Sequence, residues 1–174
     1  MIVAAAIASA LVLAGCGSKG TPAAGGTAST AVVAGQATTA ATTKAKPTCD
    51  MAPASLVNSV LGTNVAAAAA QNLGAVVVCR YSPASGSGSV VVRVQTDMSA
   101  TAFKEGRAIS DANGMPTTDL PGFADQAYTN VLKAGTHVTN TVIALKGTTQ
   151  LIVASPATFA AEMSLEDKLF AAFG

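Results

Sequence analysis

The residues of this chain best suited to covalent or metal chemistry are three cysteines, Cys16, Cys49 and Cys79, and one histidine, His137. One histidine and three cysteines provide few ligands for a zinc or iron–sulfur site, which needs several. His137 lies at the start of a predicted strand, where a solvated hairpin residue is favoured over a catalytic base or a metal ligand. The sequence has no Gly-x-Ser-x-Gly elbow to supply a serine nucleophile.

Three aspartates, Asp111, Asp119 and Asp125, lie on or beside one predicted loop. Paired carboxylates can do acid–base work or bind calcium. These three do not have EF-hand spacing, and helix-end and turn chemistry explain them. Within residues 47–174 the glycine-rich phosphate-binding patterns are also absent. We therefore expect a protein that is not an enzyme, with no catalytic residue, no metal and no cofactor.

The first cysteine follows an apolar segment. Residues 2–15 carry no charge. This segment is shorter than the roughly 20 residues that a membrane-spanning helix needs, and its length is typical of the apolar core of a signal peptide. The sequence Leu13-Ala14-Gly15-Cys16 resembles the lipobox of bacterial lipoproteins. That resemblance implies a signal peptide at 1–15 and a diacylglycerol on Cys16, which hold the protein on the extracytoplasmic face of the cell membrane.

Two points about this N-terminal segment stay open. An ordinary secretory signal or a short anchor helix that happens to contain a cysteine is the alternative to the lipobox. No Lys or Arg precedes the apolar segment, although signal peptides carry positive charge there. We therefore expect the natural start to lie upstream of Met1.

Residues 16–46 form a predicted tether. Ala, Thr, Gly and Ser fill 23 of the 30 positions after Cys16, with three lysines and no acid. Such a segment cannot bury enough apolar surface to offset its ordering entropy, so we expect a flexible linker with a reach of about 30 Å. The net charge of the chain is only +1, and its basic residues are scattered. We therefore expect no nucleic-acid partner. The expected partners are the membrane, through the lipid anchor, and a protein or a cell-wall component.

Residues 47–174 form one predicted domain, which holds all seven aromatic residues. Helical patterns cover 53–61, 99–113 and the C-terminus, and residues 65–70 fit either a helix or a strand. Ser99 is the predicted cap of the second helix, whose pattern places Ala102, Phe103, Gly106 and Ile109 on the core side. Alternating patterns predict five strands, at 75–82, 90–96, 126–132, 138–146 and 150–154. Short connections favour antiparallel pairing. We expect an α+β fold with a largely antiparallel sheet of about five strands and helices packed against it.

Cys49 and Cys79 are the two cysteines that remain once Cys16 is lipidated. An even pair in an exported chain favours a disulfide, and two unpaired buried thiols are the alternative. The two cysteines are 30 positions apart, which is not the CxxC spacing of thiol–disulfide catalysts.

Several short motifs follow one another over most of residues 47–174. They are Pro47-Thr48-Cys49-Asp50, Leu61-Gly62, Cys79-Arg80-Tyr81, the strand at 90–96 with the Phe103 helix, the PGFADQAY segment at 121–128, and Leu145-Lys146-Gly147. In this order they resemble a group of small actinobacterial lipoproteins that share a domain of unknown function. The resemblance implies a lipid-anchored cell-envelope protein in which the cysteine of Cys-Asp pairs with the cysteine before Tyr, and it transfers no catalytic residue.

The predicted loop at 115–125 is the candidate partner surface, because it joins the two halves of the domain and carries Asp119, Phe123 and Asp125. A plain connection with Phe123 in the core is the alternative. We expect a non-catalytic binding or accessory module for a protein, a cell-wall component or a small apolar ligand. The alternatives are a structural surface lipoprotein without a specific ligand and an envelope hydrolase with a site around His137.

Replacing Cys16 with serine should release the chain from the membrane, because the predicted lipid is attached through the thiol and its acyl chains provide the anchor. Fractionation of expressing cells and intact-mass analysis of the membrane fraction measure this. The matched control, Ser18→Ala, should stay in the membrane fraction with a diacylglyceryl group on residues 16–174. A serine variant that remains membrane-bound at the wild-type level contradicts the lipobox.

Overall fold

A seven-stranded antiparallel sheet forms the centre of the structure. The computed structural model describes residues 46–84 and 88–173, so the predicted signal peptide, Cys16 and nearly all of the tether lie outside the described residues. In chain order the strands are Ala69–Leu73 (β1), Val76–Tyr81 (β2), Val90–Gln95 (β3), Thr117–Asp119 (β4), Gln126–Ala134 (β5), His137–Lys146 (β6) and Thr149–Ser155 (β7). They stand in the sheet in the order β1-β2-β3-β7-β6-β5-β4.

Three α-helices and a short 3-10 turn accompany the sheet. The helices are Ala54–Leu61 (α1), Ala100–Ala112 (α2) and Phe159–Phe173 (α3), and the turn is Cys49–Met51. The predicted α+β class and antiparallel pairing are confirmed. Within the described ranges, no helix has the length and apolar character needed to cross a membrane.

The prediction of about five strands is wrong, because the sheet has seven. The first additional strand, β1, has all five residues exposed, so no alternation of apolar and polar residues marks it. It forms by pairing with β2 across a tight turn at Gly74. The second, β4, is three residues long, lies inside the predicted loop and forms by pairing with β5. Both are edge strands whose structure depends on a neighbour rather than on their own pattern.

The main core lies on one face of the sheet. Val92 and Val94 of β3 are buried and alternate with less buried residues, as expected of a strand with one covered face. Helices α1 and α3 cover this face, and Leu61, Leu165 and Leu169 are among the residues that they bury there. Burial of this apolar surface is the main stabilising contribution to the domain.

The opposite face carries a smaller cluster at the β4 end of the sheet. Phe103 of α2 packs there on Tyr128 and Ile143. Ser99 caps α2 as predicted, because its hydroxyl oxygen accepts a hydrogen bond from the amide of the third helical residue at 3.1 Å. Ile109, which the helical pattern assigns to the core side, is 61% exposed. The helix therefore contacts the sheet mainly through Phe103.

The predicted disulfide between Cys49 and Cys79 is present. It joins the 3-10 turn to β2. Nearby, the buried Tyr81 hydroxyl donates a hydrogen bond to the carbonyl oxygen of Ala52, and burial raises the pKa of Tyr81 to about 12. The segment before α1 is therefore attached to the sheet by one covalent bond and one buried hydrogen bond.

Reducing the Cys49–Cys79 bond should lower the free energy of unfolding by about 3–4 kcal/mol, since the bond closes a loop of 30 residues in the unfolded chain. Urea unfolding of the full chain with and without a reductant measures the difference. Comparing oxidised and reduced wild type removes no atoms from the core, so the change is free of cavity effects. Equal unfolding midpoints in the two states would show that the bond adds no stability.

Candidate functional site

A groove of about 430 Å³ lies between α2 and the segment that links β4 to β5. We call it the α2 groove. Phe103, Lys104 and Arg107 line it from the helix, and residues 119–128 line it from the other side. It contains all three members of the candidate partner loop, namely Asp119, Phe123 and Asp125.

Hydrogen bonds to the sheet fix the loop side of the groove. The Asp125 carboxylate accepts a hydrogen bond from the amide of Gly147 at 2.6 Å, and the Asp125 amide donates to the carbonyl of Leu145 at 2.9 Å. Phe123 is only 7% exposed and packs in the main core. Ala124 has a φ of 52°, in the left-handed region that costs a non-glycine residue on the order of 1 kcal/mol. These contacts hold the loop in one conformation.

Arg107 connects the helix side of the groove to β4. Its guanidinium forms an ion pair with Asp119, donates through Nε to the Thr117 hydroxyl at 2.8 Å, and lies 5.5 Å from the centre of the Tyr128 ring. Asp111 adds a second link, since its carboxylate accepts from the amide of Thr117 at 2.8 Å. Asp119 is largely exposed, so the ion pair contributes little stability. Its main effect is to hold α2 and β4 together at the groove.

Phe103 and Tyr128 are nearly buried aromatic residues of the groove lining, and we call them its floor. The rings of Phe103 and Tyr128 lie 5.3 Å apart and are tilted by 59°, a favourable aromatic geometry. Burial raises the pKa of Tyr128, while a hydrogen bond with Ser110 and the charge of Arg107 oppose the rise. Lys104 is exposed, and its ammonium group forms no ion pair or hydrogen bond with another described residue, so it can meet a ligand. The groove thus combines an apolar floor, fixed walls and one unpaired cation.

His137, around which a hydrolase site is the alternative, does not line the α2 groove with Asp119 and Asp125. His137 lies at the tip of the β5–β6 hairpin, opposite Ala134, and lines a different hollow beside Ser89 and Thr139. Its imidazole makes no hydrogen bond or ion pair with a described residue. In the described part of the chain, no three His, Cys, Asp or Glu side chains cluster closely enough to hold a metal ion.

Two buried glutamates in α3 are not predicted from the sequence. Glu162 and Glu166 of α3 are both 0% exposed. They lie one helical turn apart, on the same stripe as Leu165 and Leu169. That coincidence of acids with the apolar stripe is the signal that could have revealed them.

The carboxyl groups of this pair have few polar partners. Glu162 accepts a hydrogen bond from the buried Ser155 hydroxyl at 2.6 Å. Its other oxygen and both oxygens of Glu166 have no hydrogen-bond partner in the described structure. Burial raises the pKa of Glu162 to about 8, with Ser155 and nearby backbone groups opposing the rise only in part. Burial and the charge of Glu162 also raise the pKa of Glu166. Both groups therefore favour the protonated form in the folded domain.

Comparison with known proteins finds no protein family, no curated protein and no solved structure that matches this chain. The residues of the chain itself therefore carry the functional inference.

The buried pair should make the domain less stable as the pH rises from about 5 to 8. An unfolded glutamate loses its proton near pH 4.3, whereas folded Glu162 keeps it up to about pH 8. Between these values the folded state holds more protons, so the free energy of unfolding falls by about 1.4 kcal/mol per pH unit for each such group. Urea unfolding at several pH values measures this dependence.

Glu162→Gln, a neutral replacement of the same shape, should reduce this pH dependence and make the domain more stable than the wild type at pH 8. Glu105→Gln, which removes an exposed acid of α2, is the matched control and should keep the wild-type dependence. If the Glu162→Gln variant keeps the full wild-type slope, Glu162 does not hold its proton in the folded state.

Proposed function

We propose that this chain is a lipid-anchored protein of the cell envelope whose domain is a non-catalytic binding module. The observation that carries the proposal is the α2 groove, which has fixed walls and an aromatic floor and whose described lining residues include no Ser, Thr, Cys or His. Ligand sites of proteins are typically concave and mostly apolar, with a few placed polar groups. The groove has this composition.

The ligand class that best fits the groove is a small molecule with an apolar body and one anionic group. The apolar body would lie over Phe103 and Tyr128, whose rings form the floor. The anionic group would meet Lys104, because Arg107 is already engaged by Asp119. A protein partner that contacts the same loop is the second candidate, since Asp119 and the neighbouring Pro121 are exposed there.

The sequence supports the rest of the proposal. The lipobox at Leu13-Ala14-Gly15-Cys16 favours attachment to the outer face of the cell membrane, and the segment at 17–46 has the composition of a flexible tether. A tether of this kind raises the local concentration of a binding domain near partners on the same membrane. In this proposal the chain captures or presents a ligand at the membrane surface and does not chemically change it.

Anilinonaphthalene sulfonate, which joins an apolar ring system to one sulfonate, is a suitable probe of the groove. The native full chain should bind one molecule with increased fluorescence. Lys104→Glu should weaken binding about three- to tenfold, because it replaces the facing cation with a like charge. Lys168→Glu makes the same charge change at an exposed position of α3 and should leave binding unchanged.

Near-ultraviolet circular dichroism of both variants tests whether they stay folded, since loosened proteins also bind this probe. Equal loss of binding in the two variants would point to general electrostatics rather than the groove. Binding that both variants retain in full would place the probe elsewhere and contradict the assignment.

A further inference from the structure

Among the described residues, β1 is an edge strand, and no other strand pairs with its outer side. All five of its residues, from Ala69 to Leu73, are exposed. A two-residue turn joins β1 to β2, and Leu73 pairs with Val76 on either side of it. In such a hairpin the closing pair exchanges hydrogen bonds, and alternate residues beyond it point their backbone groups away from the partner strand. Ala70 and Asn72 therefore present their amide and carbonyl groups to the outside.

This edge lacks the usual protection against pairing. Natural edge strands carry charges, prolines or bulges that prevent another strand from adding. The sequence of β1 is AAQNL, with no charge and no proline. A one-residue bulge does occur before it, since Val65 pairs with Pro83 while Ala69 pairs with Arg80. The five residues after the bulge pair regularly.

The opposite edge of the sheet is different. Strand β4 is only three residues long. Its Thr117 and Asp119 are bound by Arg107 and Asp111 of α2. This edge is short, charged and covered in part by a helix, which are the protections that β1 lacks.

We propose that β1 pairs antiparallel with β1 of a second copy of this chain, about a two-fold axis at Gln71. In this register Gln71 faces Gln71 of the second copy, and the two amide groups can each donate and accept a hydrogen bond. Leu73, which is 59% exposed, lies opposite Ala69 of the second copy. Asn72 lies opposite Ala70, so each larger side chain meets either its own kind or an alanine.

Electrostatics permits the pairing. No charged residue lies within β1. The nearest charge on β2 is Arg80, which pairs with Ala69. In the proposed register the two copies of Arg80 are three strand spacings apart and displaced by four residues along the strands, roughly 20 Å in all. Salt screens the repulsion between the two arginines over that distance, since the Debye length is about 8 Å at physiological ionic strength.

The pairing is closed and weak. A two-fold contact uses the same edge of both copies, so it makes a dimer and cannot extend into a fibre. Five residues from each copy are far fewer than the roughly 20–30 residues a side of a stable interface, so dilute chains dissociate. Confinement on a membrane by the proposed anchor would raise the dimer population, but the pairing itself does not depend on that anchor.

Cysteine cross-linking tests the register. In full chain purified from membranes in a mild detergent, Gln71→Cys should form a disulfide-linked dimer on gentle oxidation. Directly opposed residues of an antiparallel pair have Cβ atoms about 4.5–5.5 Å apart, within reach of that bond after a small shift. Thr118→Cys, at an exposed position of the β4 edge, is the matched control and should cross-link no faster than wild type. Wild type itself reports any contribution from Cys16.

Sedimentation over a range of concentrations tests the association without an added thiol. Gln71→Lys should raise the dimer dissociation constant roughly five- to tenfold, because it places like charges opposite each other at the axis. Thr118→Lys adds the same charge at the other edge and should leave the constant unchanged.

Three results would overturn the proposal. The first is cross-linking of Gln71→Cys that is no faster than that of Thr118→Cys. The second is a wild-type chain that stays monomeric at every concentration or grows beyond a dimer. The third is a cross-linked product whose mass shows a different protein on Gln71→Cys, which would make β1 a docking edge for another partner.

Discussion

The antiparallel pairing of β3 with β7 is the interaction on which the rest of the domain depends. Strands β1–β3 and β4–β7 form two separate groups along the chain, and the β3–β7 pairing joins them into one sheet. Val92 and Leu151 are buried on one side of this pairing. On the other side the Arg93 guanidinium donates hydrogen bonds to the Oε1 atoms of Gln150 and Gln95. Because α1 and α3 need one broad surface to cover, the core exists only when this pairing forms.

The same pairing decides where the two candidate surfaces lie. It places β1 and β4 at opposite edges of the sheet, six strand spacings or roughly 29 Å apart. The α2 groove lies beside β4, while β1 has no part in it. A ligand in the groove therefore leaves the β1 edge free. In a dimer paired through β1, the two grooves lie at the outer ends of a continuous sheet, and neither copy blocks the groove of the other.

The sequence predicts the parts of this fold that carry their own pattern. Alternating valines predict β3, Ser99 predicts the start of α2, and the pair of cysteines left after the lipobox predicts the disulfide; all three are confirmed. It cannot predict β1 and β4, whose residues gain their structure from a neighbouring strand. The loop acids of the groove are predicted as a candidate surface. Lys104 and Arg107 of its helical wall are not, because only the packing of α2 brings them to the loop.

The buried glutamates of α3 lie on the side of the sheet opposite the α2 groove. Buried carboxyl oxygens without hydrogen-bond partners cost stability even when the group is protonated. Glu162 and Glu166 have three such oxygens between them in the described structure, so packing does not explain the pair. They lie on the α3 side of the sheet, and the groove floor lies on the α2 side. Strand β6 is common to both sides, since Val142 faces the main core while Ile143 packs under Phe103. Strand β6 therefore packs both in the main core, which contains α3, and in the cluster that contains the groove floor.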